Sequence, residues 1–313
     1  MRGKGKRPVK SMFTQQLING LALGAVYALI ALGYTMVYGI LQLINFAHGE
    51  VYMLGAYLGI IVLGVLTALG LPSFSLVLTI IITLAVSMLF CAAYGVTIER
   101  LAYRPLRKAD RLSPLISAVG MSIILQNFIM LAQGKEYKYL PPVISFEGFM
   151  FFGAKISPVE IFILASSVLI MVLLQLFISR SRLGKAMRAT SQDMTMASLA
   201  GVNINQVISA TFLIGSALAA IAGVMVTLSY GVAHFFMGYT AGLKAFTAAV
   251  LGGIGSIPGA MLGGFMLGLI ENFGAGISDV ASEYKDAFAF LVLIITLILR
   301  PSGLLGRKTI DKV

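Results

Sequence analysis

Residues 17–50 read LINGLALGAVYALIALGYTMVYGILQLINFAHGE. From Leu17 to Ile44 this stretch carries no charged residue, and a helix needs about 20 mostly apolar residues to cross a bilayer. It follows a basic start, MRGKGKRPVK, which looks like the head of a signal peptide. The run is about twice the apolar core of such a peptide, and more runs follow it, so it reads as a retained first transmembrane helix. The polar interruption Asn45-Phe46-Ala47-His48-Gly49-Glu50 then separates it from a second apolar run.

The rest of the chain repeats the pattern. Further runs are Val51–Leu71, Phe74–Ile98, Leu115–Ala132, Val159–Ile178, Ile204–Tyr230, Ala245–Ile270 and Ala287–Leu299. Of the 313 residues 58% are hydrophobic and 11% charged, against about 45–50% and about 25% in soluble domains. One core could not hide that much apolar surface. These numbers exclude a soluble enzyme, a nucleic-acid binder and a disordered tail, and make lipid the solvent for most of the chain. Its lone cysteine, Cys91, lies inside an apolar run and rules out an intrachain disulfide. His48 and His234 have no acidic or cysteine cluster with ligand spacing beside them, so no metal site is expected.

The net charge of +11 is a topology signal. Segments 1–10, 99–113, 179–203 and 300–313 hold 18 of the 23 basic residues and four acids, Glu99, Asp110, Asp193 and Asp311. The excess of Lys and Arg on cytoplasmic loops places these segments, and with them both termini, in the cytoplasm. That placement raises a parity problem. Three apolar runs separate residues 10 and 99, and three separate 203 and 300. One run in each half must therefore enter and leave on the same side. The breaks are at residues 45–50 and at Gly252-Gly253-Ile254-Gly255-Ser256-Ile257-Pro258-Gly259. Glycine and proline at membrane depth are tolerated where protein or a wet cavity satisfies the freed backbone. Leu54-Gly55-Ala56-Tyr57 after the first break and Leu262-Gly263-Gly264-Phe265 after the second, each followed by another glycine (Gly59, Gly268), point to an internal duplication. The expected fold is all-α and polytopic, with about eight to ten transmembrane or re-entrant helices, some of them broken.

Four ionisable residues, His48, Glu50, Lys244 and Glu271, lie in or beside the breaks. They either line a polar path or tie helices together, because an unpaired charge at that depth costs several kcal/mol. With them, Asn45, Gly253, Gly255 and Pro258 are the candidates for a translocation path. The loop Lys135–Lys155, with Pro141-Pro142, is either a docking surface for an external protein or a solvated connector.

The segment Ser181-Arg182-Leu183-Gly184-Lys185-Ala186-Met187-Arg188-Ala189-Thr190-Ser191-Gln192-Asp193, continuing through Ala197 and Gly201 to Asn203, is too polar to span. Met187, Met194, Ala197 and Leu199 give it a partly apolar face, so it reads as a short helix lying on the cytoplasmic surface. With Ala197 and Gly201 four residues apart, it resembles the coupling helix of ABC importer permeases. Residues 44–50 and 248–260 resemble signature segments of the branched-chain amino acid permeases, the LivH/LivM type, closer to the H-type subunit. The likeness runs from Phe13 to Leu305, and the basic extension Met1–Lys10 departs from the pattern.

The resemblance implies one permease domain over residues 13–305, with a coupling segment at 181–203, a basic tail at 1–12 and a second tail at 306–313. It also implies a place in the bacterial inner membrane. The partners would be two ATPase subunits carrying ATP-Mg, a second permease subunit (a similar chain or a copy of itself), and an extracytoplasmic binding protein. Gly184, Arg188, Asp193, Ala197 and Gly201 would then engage the ATPase. No GxxxxGK[ST] phosphate loop is present, so this chain is expected to bind no ATP or other cofactor and to catalyse no reaction. The rival reading is an ion-coupled secondary amino-acid transporter, which would also use duplicated broken helices.

Overall fold

In a computed structural model, residues 9–107, 109–110, 112–140, 148–151, 153–277 and 283–306 are described. The tail at 1–8, Pro141-Pro142 and the tail at 307–313 lie outside them. Among the described residues nine helices build the body: α1 (Val9–Leu41), α2 (His48–Ala68), α4 (Leu76–Ile98), α5 (Leu112–Gln133), α6 (Pro158–Arg180), α9 (Ile204–Tyr230), α10 (Met237–Gly252), α11 (Ile257–Ala275) and α12 (Lys285–Leu299). Three shorter ones, α3 (Leu71–Phe74), α7 (Arg182–Gln192) and α8 (Met194–Leu199), lie between them. Six of the nine are long and apolar enough to span a membrane. With 16, 19 and 15 residues, α10, α11 and α12 are about 22–29 Å long, close to the roughly 30 Å hydrocarbon core. The all-α, polytopic expectation therefore holds.

Small residues fix the packing. In lipid no hydrophobic force drives helices together, so close backbone approach has to do so. Helices α1 and α11 run antiparallel: Phe13 meets Phe273 with centroids 5.2 Å apart, Gly20 lies on Leu269, Gly24 on Phe265 and Gly264 on Ala28. A Cβ on Gly24 would stand 2.8 Å from the Phe265 Cα, and one on Gly268 would meet the Gly24 backbone. Gly55 and Gly59 of α2 pack in the same way on Ala220 and Val224 of α9, and Gly95 of α4 packs on Ser216. Outside this core, α4, α5, α6 and α12 expose apolar side chains such as Leu89, Leu131, Leu173 and Ile298, as lipid contact requires.

One face of the bundle carries the loops with Arg104, Arg107, Arg180, Arg182, Lys185, Arg188 and Arg300. The C-terminal end of α1 reaches this basic face, where α1 touches α7 and Gly39 approaches Gly255. Its N-terminal end lies at the opposite face. There the Gln15 side chain donates to the Lys155 carbonyl at 3.1 Å and accepts from the Lys155 N–H at 2.8 Å, and Gln16 abuts Gly276. Residues 10 and 99 therefore stand on opposite sides, joined by three crossings. The N-terminal end of α1 thus lies opposite the basic loops, whereas residues 1–10 were expected on their side; the two tails themselves lie outside the described residues. In the first half, residues 42–47 interrupt two crossing helices without forming a re-entrant hairpin. The second half behaves as expected: α10 descends to the basic face, turns at Gly253–Ser256, and α11 returns.

The two breaks differ in construction. Helix α1 ends at Leu41 because Gln42 takes φ +52°, a left-handed C-terminal position that glycine usually fills. In the second break Gly253 has φ +107° and Gly255 φ +89°. Ser256 then caps α11 by accepting from the Gly259 N–H at 3.2 Å, with proline in the first turn. On the opposite face four short strands form two antiparallel pairs. Strand β1 (Lys138–Tyr139) pairs with β4 (Val232–Ala233), and β2 (Phe149–Phe151) with β3 (Ala154–Ile156).

Candidate functional site

The segment that follows α6 is two helices instead of the single one expected. Ser181 caps α7 by accepting from the Gly184 N–H at 2.9 Å. Asp193, in extended backbone, ends α7 and caps α8 by accepting from the Met196 N–H at 2.9 Å. This break resets the helical phase. Gly184, Met187 and Thr190 of α7 and Ala197 of α8 face inward, while Met196 is 64% and Leu199 79% exposed. Met194 and Leu199, read from the sequence as sharing one apolar face with Met187 and Ala197, are exposed where those two are buried.

The five residues singled out in this segment divide accordingly. Gly184 packs on the Ile178 backbone, and the Arg188 guanidinium donates to the Ile178 carbonyl, so both hold α7 against the end of α6. Asp193 is a cap and Ala197 is buried. Gly201 turns the chain out of α8 with φ +85° in open space, a conformation that strains other residues. The exposed apolar Met196 and Leu199 were missed because a one-helix reading cannot see a cap that shifts the phase.

The first break holds three of the path candidates together. Asn45 accepts from the Tyr103 hydroxyl at 2.8 Å. His48 Nε2 lies 3.2 Å from the Ile30 carbonyl, its ring packed edge-on to Tyr34 and against Gly33. Glu50 is fully buried, with Oε1 accepting from Ser122 at 3.0 Å and Gln126 at 3.5 Å, while Oε2 has no hydrogen-bond partner. It lies beneath a backbone seam where Gly49 meets Gly238 and Gly242 of α10.

The other three candidates, Gly253, Gly255 and Pro258, sit at the far end of α10, about 16 Å along its axis from Gly242. Gly253 packs there on Gly306 and Ser302, and the Leu304 and Leu305 N–H groups donate to the Leu251 and Gly252 carbonyls at 2.9 and 2.8 Å. The structure therefore does not join the two breaks into one site.

Lys244 and Glu271 form a structural tie. Lys244 Nζ is 2.8 Å from Glu271 Oε1 and 2.6 Å from Asp286 Oδ1, and Tyr27 donates to Glu271 Oε2 at 2.9 Å. One cluster thus links α1, α10, α11 and α12. A cavity of about 330 Å³ opens near the opposite face, with Asn19, Glu160, Tyr230 and Asn272 around an apolar floor that includes Val26 and Ile163.

A second charged cluster lies at the basic face, in the segment 99–113 that the sequence reading took as a basic cytoplasmic loop. Helix α4 continues through a π-helical turn, Glu99–Tyr103, and a 3₁₀ turn, Arg104–Leu106. Glu99 is fully buried. It accepts from Arg104 Nη2 at 2.9 Å, from Ser209 Oγ at 2.8 Å, and from Arg107 Nη2. Arg107 also donates to Asn205 at 2.7 Å. Only an acid at the mouth of an apolar run, followed by two arginines, hinted at this cluster. Its partners on α9 are 98 residues (Asn205 from Arg107) and 110 residues (Ser209 from Glu99) away in sequence.

The comparisons agree with this architecture. Residues 16–297 match the family described as branched-chain amino acid transport system, permease component. The chain is 52% identical over 306 residues to the high-affinity branched-chain amino acid transport system permease protein BraD of Pseudomonas aeruginosa, covering 96% of this chain and 98% of that one. It is 47% identical over 305 residues to the LivH permease proteins of Salmonella typhimurium and Escherichia coli, with 96% and 98% covered. No solved structure matches. A family match over nearly the whole chain, on a packed helical bundle whose described residues include six helices long and apolar enough to span a membrane, leaves the ion-coupled carrier without support, and the chain belongs to the branched-chain amino acid transport permease family.

Proposed function

We propose that this chain is one membrane subunit of an ATP-driven importer of branched-chain amino acids or close relatives in a bacterial inner membrane, itself catalysing no reaction. Residues 13–305 form the permease domain. The basic face is cytoplasmic, which puts Arg300 inside and the N-terminal end of α1 outside. Two ATPase subunits bind ATP-Mg and dock on α7–α8, a second permease completes the path, and an external binding protein delivers substrate. The observation that carries this reading is the exposed apolar tip of α8. Leu199, 79% exposed, stands beside Met196, 64% exposed, on a segment that carries Arg182, Lys185 and Arg188, an apolar tip among charges that suits contact with a partner protein.

In this mechanism closure of the ATPases displaces α8. Arg188 and Gly184 transmit the load to α6, and the short connection through Gly201 transmits it to α9. Opening of the Gly49–Gly238 seam would expose Glu50, whose unpartnered oxygen is suited to a substrate ammonium. The test is purification of the tagged protein from native membranes in mild detergent. Wild type should bring down ATPase subunits and a second permease, and Leu199→Asp should lose the ATPases while keeping the permease. Equal ATPase recovery from wild type and Leu199→Asp would contradict the docking assignment.

A further inference from the structure

The Glu99 cluster joins three parts of the chain that no local interaction would bring together. Its α9 partners, Asn205 and Ser209, share one face of the first turns of α9, directly after the docking segment. Its own backbone is the π-helical turn, closed by the Arg104 N–H donating to the Glu99 carbonyl five residues back. The last residue of that turn, Tyr103, packs its ring at a tilt against Phe212 of α9, centroids 5.2 Å apart, and donates its hydroxyl to Asn45 in the first break. Asn45 lies three residues before His48 and five before Glu50. Side-chain contacts and short backbone links together therefore run from the docking segment to the first break, where the His48 N–H donates to the Asn45 carbonyl at 3.0 Å and Glu50 follows two residues later.

Two physical features make this set a strut. Glu99 is fully buried, so its carboxylate cannot exchange its arginine and serine partners for water without opening the helix contact. A π turn holds one residue more than an α turn. Reverting it to α geometry would shift everything after it by one residue, so the turn would have a second register available to it. Tyr103 sits at the end of that element, so either register sets where its hydroxyl stands relative to Asn45.

We propose that Glu99, Arg104, Arg107 and Tyr103 are positioning residues that carry displacement of the docking segment into the broken stretch at residues 42–47, and so couple ATP hydrolysis to exposure of Glu50. The inference rests on the docking reading above. It is tested in the complete transporter, reconstituted in liposomes with its ATPases and binding protein, by measuring leucine taken up per ATP hydrolysed. Tyr103→Phe keeps the ring packing and removes one hydroxyl, and Glu99→Gln keeps shape and removes the charge. Both should retain hydrolysis while uptake per ATP falls roughly two- to thirtyfold, the range found for residues that modulate coupling. Tyr103→Phe combined with Asn45→Ala should be no worse than the more severe single change.

A merely structural role would lower hydrolysis and uptake together with the amount of folded complex and leave their ratio unchanged. That result in Tyr103→Phe would overturn the inference, even if Glu99→Gln failed to assemble. Failure of the docking reading looks different, because Leu199→Asp would then recover as much ATPase as wild type.

Discussion

Replacing Lys244 by Met tests whether the intramembrane charges hold the bundle together. Lys244 and Glu271 stand 2.8 Å apart with side chains 8% and 3% exposed. At an effective dielectric of about 20, two unit charges at that distance attract by roughly 6 kcal/mol. Much of this only offsets the cost of taking both charges out of water. Removing one partner exposes that cost, typically about 3–5 kcal/mol for a buried pair.

The two single variants should differ. Lys244→Met leaves Glu271 with the Tyr27 hydroxyl alone, whereas Glu271→Gln leaves Lys244 with Asp286 at 2.6 Å. Asp286 is 48% exposed, so that second pairing recovers no more than about 1 kcal/mol. Lys244→Met is therefore the worse single change by about that margin, and the double variant recovers a large part of the loss. The assay is equilibrium unfolding of the four proteins in mixed micelles. Single effects that add to within about 0.5 kcal/mol would refute the argument, since coupled neighbours should deviate by more.

Three further outcomes follow from the geometry. Gly268→Leu forces a side chain into the Gly20–Gly24 backbone of α1 and should cost about 1–3 kcal/mol or more, read as lost folded yield in detergent. Asp193→Ala removes the cap between α7 and α8, costing about 1 kcal/mol locally. Substrate-stimulated ATP hydrolysis should then fall in reconstituted complex while the permease remains folded. Cysteines placed at Phe13 and Leu199 should react with a membrane-impermeant maleimide from opposite sides, Phe13 in intact cells and Leu199 only after permeabilisation. Reaction of both from one side would contradict the placement of the N-terminal end of α1 opposite the face that carries α7 and α8.

Much of the membrane architecture is legible in the sequence because lipid imposes a coarse rule, namely long apolar runs with internally satisfied backbone. The second break was readable to within a few residues, since Gly253, Gly255 and Pro258 carry backbone demands that few residue types meet. The first break was less legible, because Gln42 turns the end of α1 without a glycine to mark it. The face on which the N-terminal end of α1 lies was not legible for a different reason. Five basic residues among the first ten weigh heavily in a charge count, but the close packing of Gly20 and Gly24 on α11 sets the direction of α1, and no charge count contains that contact.

The candidate site was legible as a segment and much less so residue by residue. Polarity and length marked residues 181–203, but the inward or outward sense of each side chain depends on the cap at Asp193. The Lys244–Glu271 pair was foreseeable as one of two alternatives, since charges at that depth must find partners. The Glu99 cluster was not foreseeable. Its geometry depends on a π turn and on α9 residues that only the folded chain brings near.

The most direct test of the central claim uses the chain's own cysteine content. Cys91 is the only cysteine and is fully buried, so Leu199→Cys introduces a single accessible thiol at the tip of α8. Its rate of maleimide labelling should be measured in purified permease with and without the ATPase subunits. If α8 seats in the ATPases, adding them should slow labelling at residue 199 at least tenfold, while a control cysteine at Phe13 stays unaffected. Equal labelling of residue 199 in both states, with the ATPases demonstrably bound, would contradict the account.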